Sequence, residues 1–336
     1  MPRQVMSWTS PTQLLIGEGL AQRYLSTLDD VLLVRDPHVR GLSAQHVVVR
    51  EPQMGDRDLI RVVQEARARR PDATVVAVGG GSVLDPSRLA VHGWDGPTPD
   101  GVSFIPADVR SSCDLVCIPS TIGTAAEVSP TAVLRDQDRL ALIVSPALRA
   151  RTAILDPSIS DRADDSWLGA GLVEPWARAV VPALAGEPLL LQDRIAGAVA
   201  STLLDLATTP VDARWRLTAA LASAQTHTSF LALQRSPFSH VLWPIVTECS
   251  LVCGASKHDV LAALLPVWIT GIDASRVGEV LGAGPGEVAS RLRSAWPPPL
   301  LTADAGLVAD RVHRRWSPFN PPPASDIVAL IAAAAG

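Results

Sequence analysis

Three consecutive glycines, residues 79–81, follow an apolar run directly in TVVAVGGGSVLDPSR. Glycine lacks a Cβ, so such a turn is expected to take positive φ and to let backbone approach a ligand closely. The pattern predicts a helix beginning just beyond it, with Asp85 as its cap and Pro86 in its first position. A helix start offers unpaired N–H groups and the positive end of the peptide dipole, a seat for phosphate. The plainer reading is a tight turn that binds nothing, but three glycines exceed what such a turn requires. Neither common nucleotide signature is met: G-x-G-x-x-G would need glycine where Leu84 stands, and a P-loop would need Gly-Lys-Ser/Thr. A second stretch, CIPSTIGTAAEVSP (117–130), again runs from an apolar segment into a loop dense in hydroxyls. Ser120, Thr121, Gly123 and Thr124 offer donors to a phosphate, a ribose or a nicotinamide amide. An ordinary Ser/Thr cap explains the same residues.

Strands must lead into these loops and helices must leave them. Short β-rich runs fall at 31–34, 46–49, 74–78, 115–119 and 140–144. Between them, DRDLIRVVQEARAR (56–69) sets Leu59, Ile60, Val63 and Ala66 at helical spacing. Strand and helix in alternation predict a parallel sheet covered by helices, and wholly apolar runs such as TVVAV suit strands buried on both faces. After Asp156-Pro157 the rhythm changes to long Ala- and Leu-rich segments at 186–208, 213–233, 259–270 and 286–295. These predict an all-helical second domain, giving 1–157 and 158–336 as the two units. A last helix is expected at 325–335, capped by Ser325 with Asp326 in its first turn. WPPPL (296–300) and WSPFNPPPAS are read as extended connectors.

The chain has 336 residues, 47% hydrophobic and 19% charged, a composition that excludes disorder as the default. A net charge of −5 gives no global attraction to nucleic acid or an anionic membrane. No apolar run approaches the roughly 18–20 residues needed to cross a bilayer. The N-terminal MPRQVMSWTSPTQ lacks a signal-peptide core, so a cytoplasmic protein is expected. Cysteines 113, 117, 249 and 253 form two C-x3-C pairs, expected to be free thiols in that compartment. Lys257 is the only lysine.

The two loops, GGGSVLD (79–85) and PSTIGTAAE (119–127), resemble those of the iron-containing (group III) alcohol dehydrogenase and dehydroquinate synthase-like superfamily. Further landmarks stand in the same order: LIGEGLAQRYL (15–25), Asp36 ending VLLVRD, AILDPSI (153–159) and NPPPASDIVALI (320–331). The resemblance implies a Rossmann-like NAD-binding domain, an all-helical metal and substrate domain, and a cleft between them. It implies NAD held by Asp36, Gly79, Gly80, Gly81, Ser82, Asp85, Ser120, Thr121, Thr124 and Val128, with Asp36 favouring NAD over NADP. It also implies a divalent iron or zinc held by Glu174 in GAGLVEPWARAV, His240 in SPFSHVLWP and His258 in KHDVLAALLP. The chain departs from the family where Arg178 replaces a histidine ligand, Asp259 a glycine and Arg88 a frequent lysine, and the position near Trp243 lacks another common histidine. A separate zinc site on Cys249, Cys253 and His258 is the alternative, with His227 in reserve.

By that resemblance, a metal-bound hydroxyl gives hydride to NAD, with His240 and His258 at the centre and Asp259 or His227 relaying the proton. The activity implied is oxidation of a secondary hydroxyl to a ketone. One branch of the family tailors ribosomal peptides by oxidising a C-terminal threonine, whose β-keto acid then loses CO₂. Glu174 also resembles the sugar-phosphate cyclase branch, though a single lysine represents that branch's cationic cluster poorly. A nucleotide-binding scaffold without catalysis is the third reading. The substrate expected is a small molecule or a peptide C-terminus, with no nucleic acid or membrane partner, in a homodimer.

Overall fold

The computed structural model describes residues 12–105, 115–137, 139–228, 230–233, 235 and 238–335. The apolar runs of the first half pair side by side. Strands β1 (Gln13–Ile16), β2 (Val31–Arg35), β3 (His46–Val49), β4 (Thr74–Gly79), β6 (Leu115–Pro119) and β9 (Thr152–Leu155) form one sheet in the order β1-β9-β6-β4-β2-β3. All its pairings are parallel. Alternation along β4 divides the core. Val75 and Ala77 join the apolar cluster on one face, and Val76 and Val78 the cluster on the other. With both faces covered, no polar residue is tolerated there, and each fully buried valine or leucine contributes roughly 1.5–3 kcal/mol.

Helices α1 (Leu20–Leu25), α2 (Asp56–Ala68) and α3 (Gly81–Val91) carry the crossovers. The run expected at 140–144 is a strand, Arg139–Val144 (β8), but it does not enter the large sheet. It pairs antiparallel with β7 (Thr131–Asp136) and parallel with β5 (Val102–Phe104) in a separate three-stranded sheet.

Beyond β9 the fold is helical: α4 (Asp165–Gly171), α5 (Val173–Ala185), α6 (Leu190–Ala207), α7 (Ala213–Thr228), α8 (Leu242–Cys253), α9 (Lys257–Thr270), α10 (Ala274–Leu281), α11 (Pro285–Ala295), α12 (Ala305–Arg315) and α13 (Ala324–Ala335). Helix α13 starts at Ala324, so Ser325 lies in its first turn instead of capping it. These helices share one apolar core, with Trp176 fully enclosed in it. No helix among the described residues is long and apolar enough to cross a membrane.

A buried ion cluster ties the two halves together. Glu248 on α8 is fully enclosed; Arg311 Nε and Trp316 Nε1 each donate to it at 2.6 Å, and Arg315 donates as well. Arg315 also reaches into the α/β half, donating to Asp100 at 2.7 Å and to the Leu140 carbonyl at 2.8 Å. Gly101 packs against it so tightly, at φ +90°, that a Cβ would stand 1.8 Å from the Arg315 carbonyl oxygen.

Candidate active site

The register of the large sheet places the two loops at the same level. Gly79, ending β4, is paired with Pro119, ending β6, and Ser120 N–H donates to the Gly79 carbonyl at 3.0 Å. Both loops thus leave the carboxyl edge of adjacent parallel strands, where open α/β sheets bind ligands. They touch each other. A Cβ on Gly80 would lie 2.9 Å from Thr121 Oγ1, and one on Gly81 3.0 Å from Thr124 Cγ2. Glycine is required by this close approach and not by backbone sign: of the four loop glycines, only Gly123 takes positive φ, at +137°.

The expected helix start is corrected. Helix α3 begins at Gly81 with Gly80 as its cap residue, so Asp85 and Pro86 both lie inside it. Pro86 has no N–H for the Ser82 carbonyl one turn back. The Arg50 guanidinium donates to that carbonyl instead. Asp85 accepts from Val133 N–H at 3.0 Å and pairs with Arg88, which also donates to the Ser129 carbonyl at 2.6 Å. Asp85 and Arg88 therefore fasten α3 to the small sheet. The seat for an anion remains, now formed by the first turn of α3 at Gly81 and Ser82.

Across from these loops, a cleft of about 670 Å³ is lined from the helical half by Trp167, Glu174, Arg178, His227, His240, Trp243, Lys257 and His258. Glu174 stands in the first turn of α5, where the helix dipole favours its charge. Arg178, one turn on, donates to Glu174 Oε1 at 3.1 Å, to Thr226 Oγ1 at 2.8 Å and to the Gly123 carbonyl at 2.7 Å. His258 Nε2 lies 3.8 Å from Glu174 Oε2. A Cβ on Gly123 would fall 3.4 Å from both of those atoms, so the second loop meets this pair directly.

Burial alone would raise the Glu174 carboxyl, but His258 and then the Arg178 guanidinium outweigh it and hold it well below the usual carboxylate range. Burial, reinforced by Arg178, pushes His240 down to about 3, and burial with Arg178 and Arg149 carries His227 well below its ordinary value. Both imidazoles are neutral at physiological pH. On the second loop, burial raises Glu127 to about 7.

One ionised carboxylate and neutral imidazoles are suitable donors for a divalent ion, but their placement is not. Glu174 and His258 come together and His240 faces the same cleft, yet no group of three His, Cys, Asp or Glu side chains able to hold a metal forms among the described residues. Arg178 takes one Glu174 oxygen and adds a fixed positive charge. The set does not fit a three-ligand centre as it stands. The alternative on Cys249, Cys253 and His258 does not assemble either; burial lifts Cys249 to about 12, far from a thiolate. Cys117, Cys249 and Cys253 are free thiols, and Cys113 lies outside the described residues.

Of the expected cofactor residues, Gly80, Gly81, Ser82, Asp85, Thr121 and Thr124 line the cleft. Gly79 is packed under Val83, and Ser120 faces the β9 side. Val128 is enclosed in core, and the Asp36 carboxylate accepts the His38 N–H at the end of β2. Asp259 is exposed, exchanges hydrogen bonds with Ser256 at the start of α9 and lines a neighbouring cavity instead of the cleft. Lys257, Trp167 and Arg135 are cleft residues that no sequence pattern had singled out for the site. The lone lysine beside His258 was the one available signal.

Fold and site define an α/β half and a helical half whose shared cleft joins glycine- and threonine-rich loops to a carboxylate and imidazoles. Residues 11–157 match the family model described as iron-containing alcohol dehydrogenase. The phosphonoacetaldehyde reductase of Streptomyces viridochromogenes is 30% identical over 156 residues, which are 43% of this chain and 37% of that enzyme. The chain is thus matched to little more than a third of that relative's length. The NADH-dependent butanol dehydrogenase A of Thermotoga maritima superposes with a TM-score of 0.79 at 15% identity, covering 99% of each chain. The iron-containing alcohol dehydrogenase of Thermococcus thioreducens superposes at 0.78 and 19% identity, over 98% of this chain and 99% of that one. Over residues 11–157 the chain is similar in sequence to that family, and the whole chain superposes on the fold of these two dehydrogenases.

Proposed function

We propose that this protein is an NAD-dependent oxidoreductase interconverting an alcohol and its carbonyl compound, and that its domains divide near residue 157. The observation carrying this reading is the meeting of Gly80 and Gly81 with Thr121 and Thr124 at the mouth of a cleft whose far wall holds Glu174 and His258. The cradle suits a dinucleotide: the first turn of α3 receives the diphosphate, and the absent Cβ atoms leave room for it. When bound, the nicotinamide supplies the two-electron acceptor or donor for the substrate carbon.

The chain's own residues do the rest. Arg178 locks the Glu174 carboxylate with one hydrogen bond and the Gly123 loop with another. Glu174, held ionised, lies 3.8 Å from His258 Nε2 and orients the imidazole. His258 is the group placed to take the hydroxyl proton during oxidation, or to return it to the carbonyl oxygen during reduction. The balance is an alcohol and the oxidised dinucleotide giving a carbonyl compound, the reduced dinucleotide and one proton. Trp167, 5.4 Å from His258 between ring centres, shields the imidazole.

The finer form of the proposal is a secondary hydroxyl, including that of a C-terminal threonine in a ribosomally made peptide. The test is NADH absorbance at 340 nm on a panel of alcohols, aldehydes, ketones and threonine-ended peptides. Turnover that is lost in His258→Ala supports the reading. Tight NADH binding with no turnover on any member of the panel would leave a nucleotide-binding scaffold.

A further inference from the structure

Lys257, the first residue of α9, lines the cleft immediately beside His258. Its ammonium lies 4.6 Å above the Trp243 ring, and among the described residues no carboxylate forms an ion pair with it. Arg135, on β7, lines the same cleft, and its side chain too has no carboxylate partner among the described residues. The other charges facing the cleft are already matched, Glu174 by Arg178 and Asp85 by Arg88. Two uncompensated cations are left in a cavity walled by Trp167, Trp243 and Phe319.

A half-buried ammonium without a counter-ion is costly unless an anion joins it. The dinucleotide's phosphates have their own seat on the opposite wall, at the first turn of α3. Lys257 rises instead from the helical wall, next to the proton-handling imidazole. We infer that Lys257, assisted by Arg135, is an anion subsite that selects substrates bearing a carboxylate or phosphonate close to the reacting carbonyl or hydroxyl carbon. The inference rests on the oxidoreductase reading above. The Trp243 ring lies beneath the ammonium and fixes its place in the cleft that His258 also lines. The charged end of a substrate would dock there while its carbonyl or hydroxyl carbon faces His258.

The experiment compares paired substrates on the intact protein with NADH: phosphonoacetaldehyde and succinic semialdehyde against propanal and butanal. The parent chain is expected to favour the anionic member of each pair in kcat/KM by about 100-fold, the scale of one charge-assisted hydrogen bond in a cleft. Lys257→Met, which keeps an unbranched side chain and removes the charge, should remove most of that preference through KM while changing the neutral aldehydes less than threefold. Arg135→Ala should act in the same direction and more weakly. Equal losses on charged and neutral aldehydes would overturn the inference. So would a loss confined to NADH affinity, which would assign Lys257 to the cofactor phosphates. If no aldehyde is turned over, the oxidoreductase reading fails by itself. The subsite is then decided by calorimetric titration with sodium phosphonoacetate and sodium succinate: binding by the parent that Lys257→Met abolishes sustains it, and no binding refutes it.

Discussion

Glu127 closes the second loop, is 3% exposed, and is raised by burial to about 7. Replacing it with glutamine keeps its shape and removes the charge. In the unfolded chain its carboxyl has the ordinary glutamate value of 4.5. A raised folded-state value means that its contribution is fully present below pH 4.5 and is lost as pH rises through 7. The gap of about 2.5 units corresponds to about 3 kcal/mol at 1.36 kcal/mol per unit. Above pH 8, Glu127→Gln should therefore be more stable than the parent by about 3 kcal/mol. Near pH 4.5 the two should differ little. Urea unfolding followed by far-UV circular dichroism at half-unit steps from pH 5 to pH 8.5 reads this directly, and the difference should grow monotonically across that window. A difference that stays flat with pH, or a variant less stable than the parent at pH 8.5, would refute the argument that Glu127 is buried without adequate compensation.

Other expectations are simpler to check. Gly80→Ala should weaken NADH binding at least about tenfold in a fluorescence titration, because its Cβ would press on Thr121; adding Thr121→Ala should recover part of the loss. Glu248→Ala removes the buried carboxylate that Arg311, Arg315 and Trp316 share, at a cost of about 3–5 kcal/mol by chemical denaturation, whereas Asp310→Ala, which among the described residues loses an exposed ion pair with Arg314, should cost under about 1 kcal/mol. Arg178→His removes the cation on Glu174 and adds an imidazole one helical turn away. Co²⁺ affinity, followed by visible absorption, should rise at least about tenfold over the parent.

The large sheet was legible because strands buried on both faces allow only apolar side chains, and runs such as TVVAV have no other use. The strand at 139–144 was seen but its sheet was not: an apolar run reports burial and carries no record of its partner. The start of α3 was misjudged for a comparable reason. Pro86 signals a first turn only while no distant donor serves the Ser82 carbonyl, and Arg50 comes from the end of the neighbouring strand to do so. Glu174, His240 and His258 were found through the family's residue order and do share the cleft. Their failure to close around an ion turns on Arg178, which was visible as a departure but whose three hydrogen bonds were not. Lys257 was conspicuous only by its rarity. That it lines the cleft with no carboxylate ion pair among the described residues depends on which distant elements fold against it.

The junction of Gly101 with Arg315 has a mechanical consequence. Glycine backbone pressed onto a carbonyl oxygen, with the guanidinium of that same arginine bonded to Asp100, Leu140 and Glu248, acts as a riveted corner. A second such contact crosses on the cleft side, where Arg178 bonds the Gly123 carbonyl and a Cβ on Gly171 would stand 2.4 Å from the Ile122 carbonyl oxygen. The halves are thus pinned at two separated places by backbone contact, so substitutions at either glycine should shift the spacing of the cleft walls before they touch any group inside it.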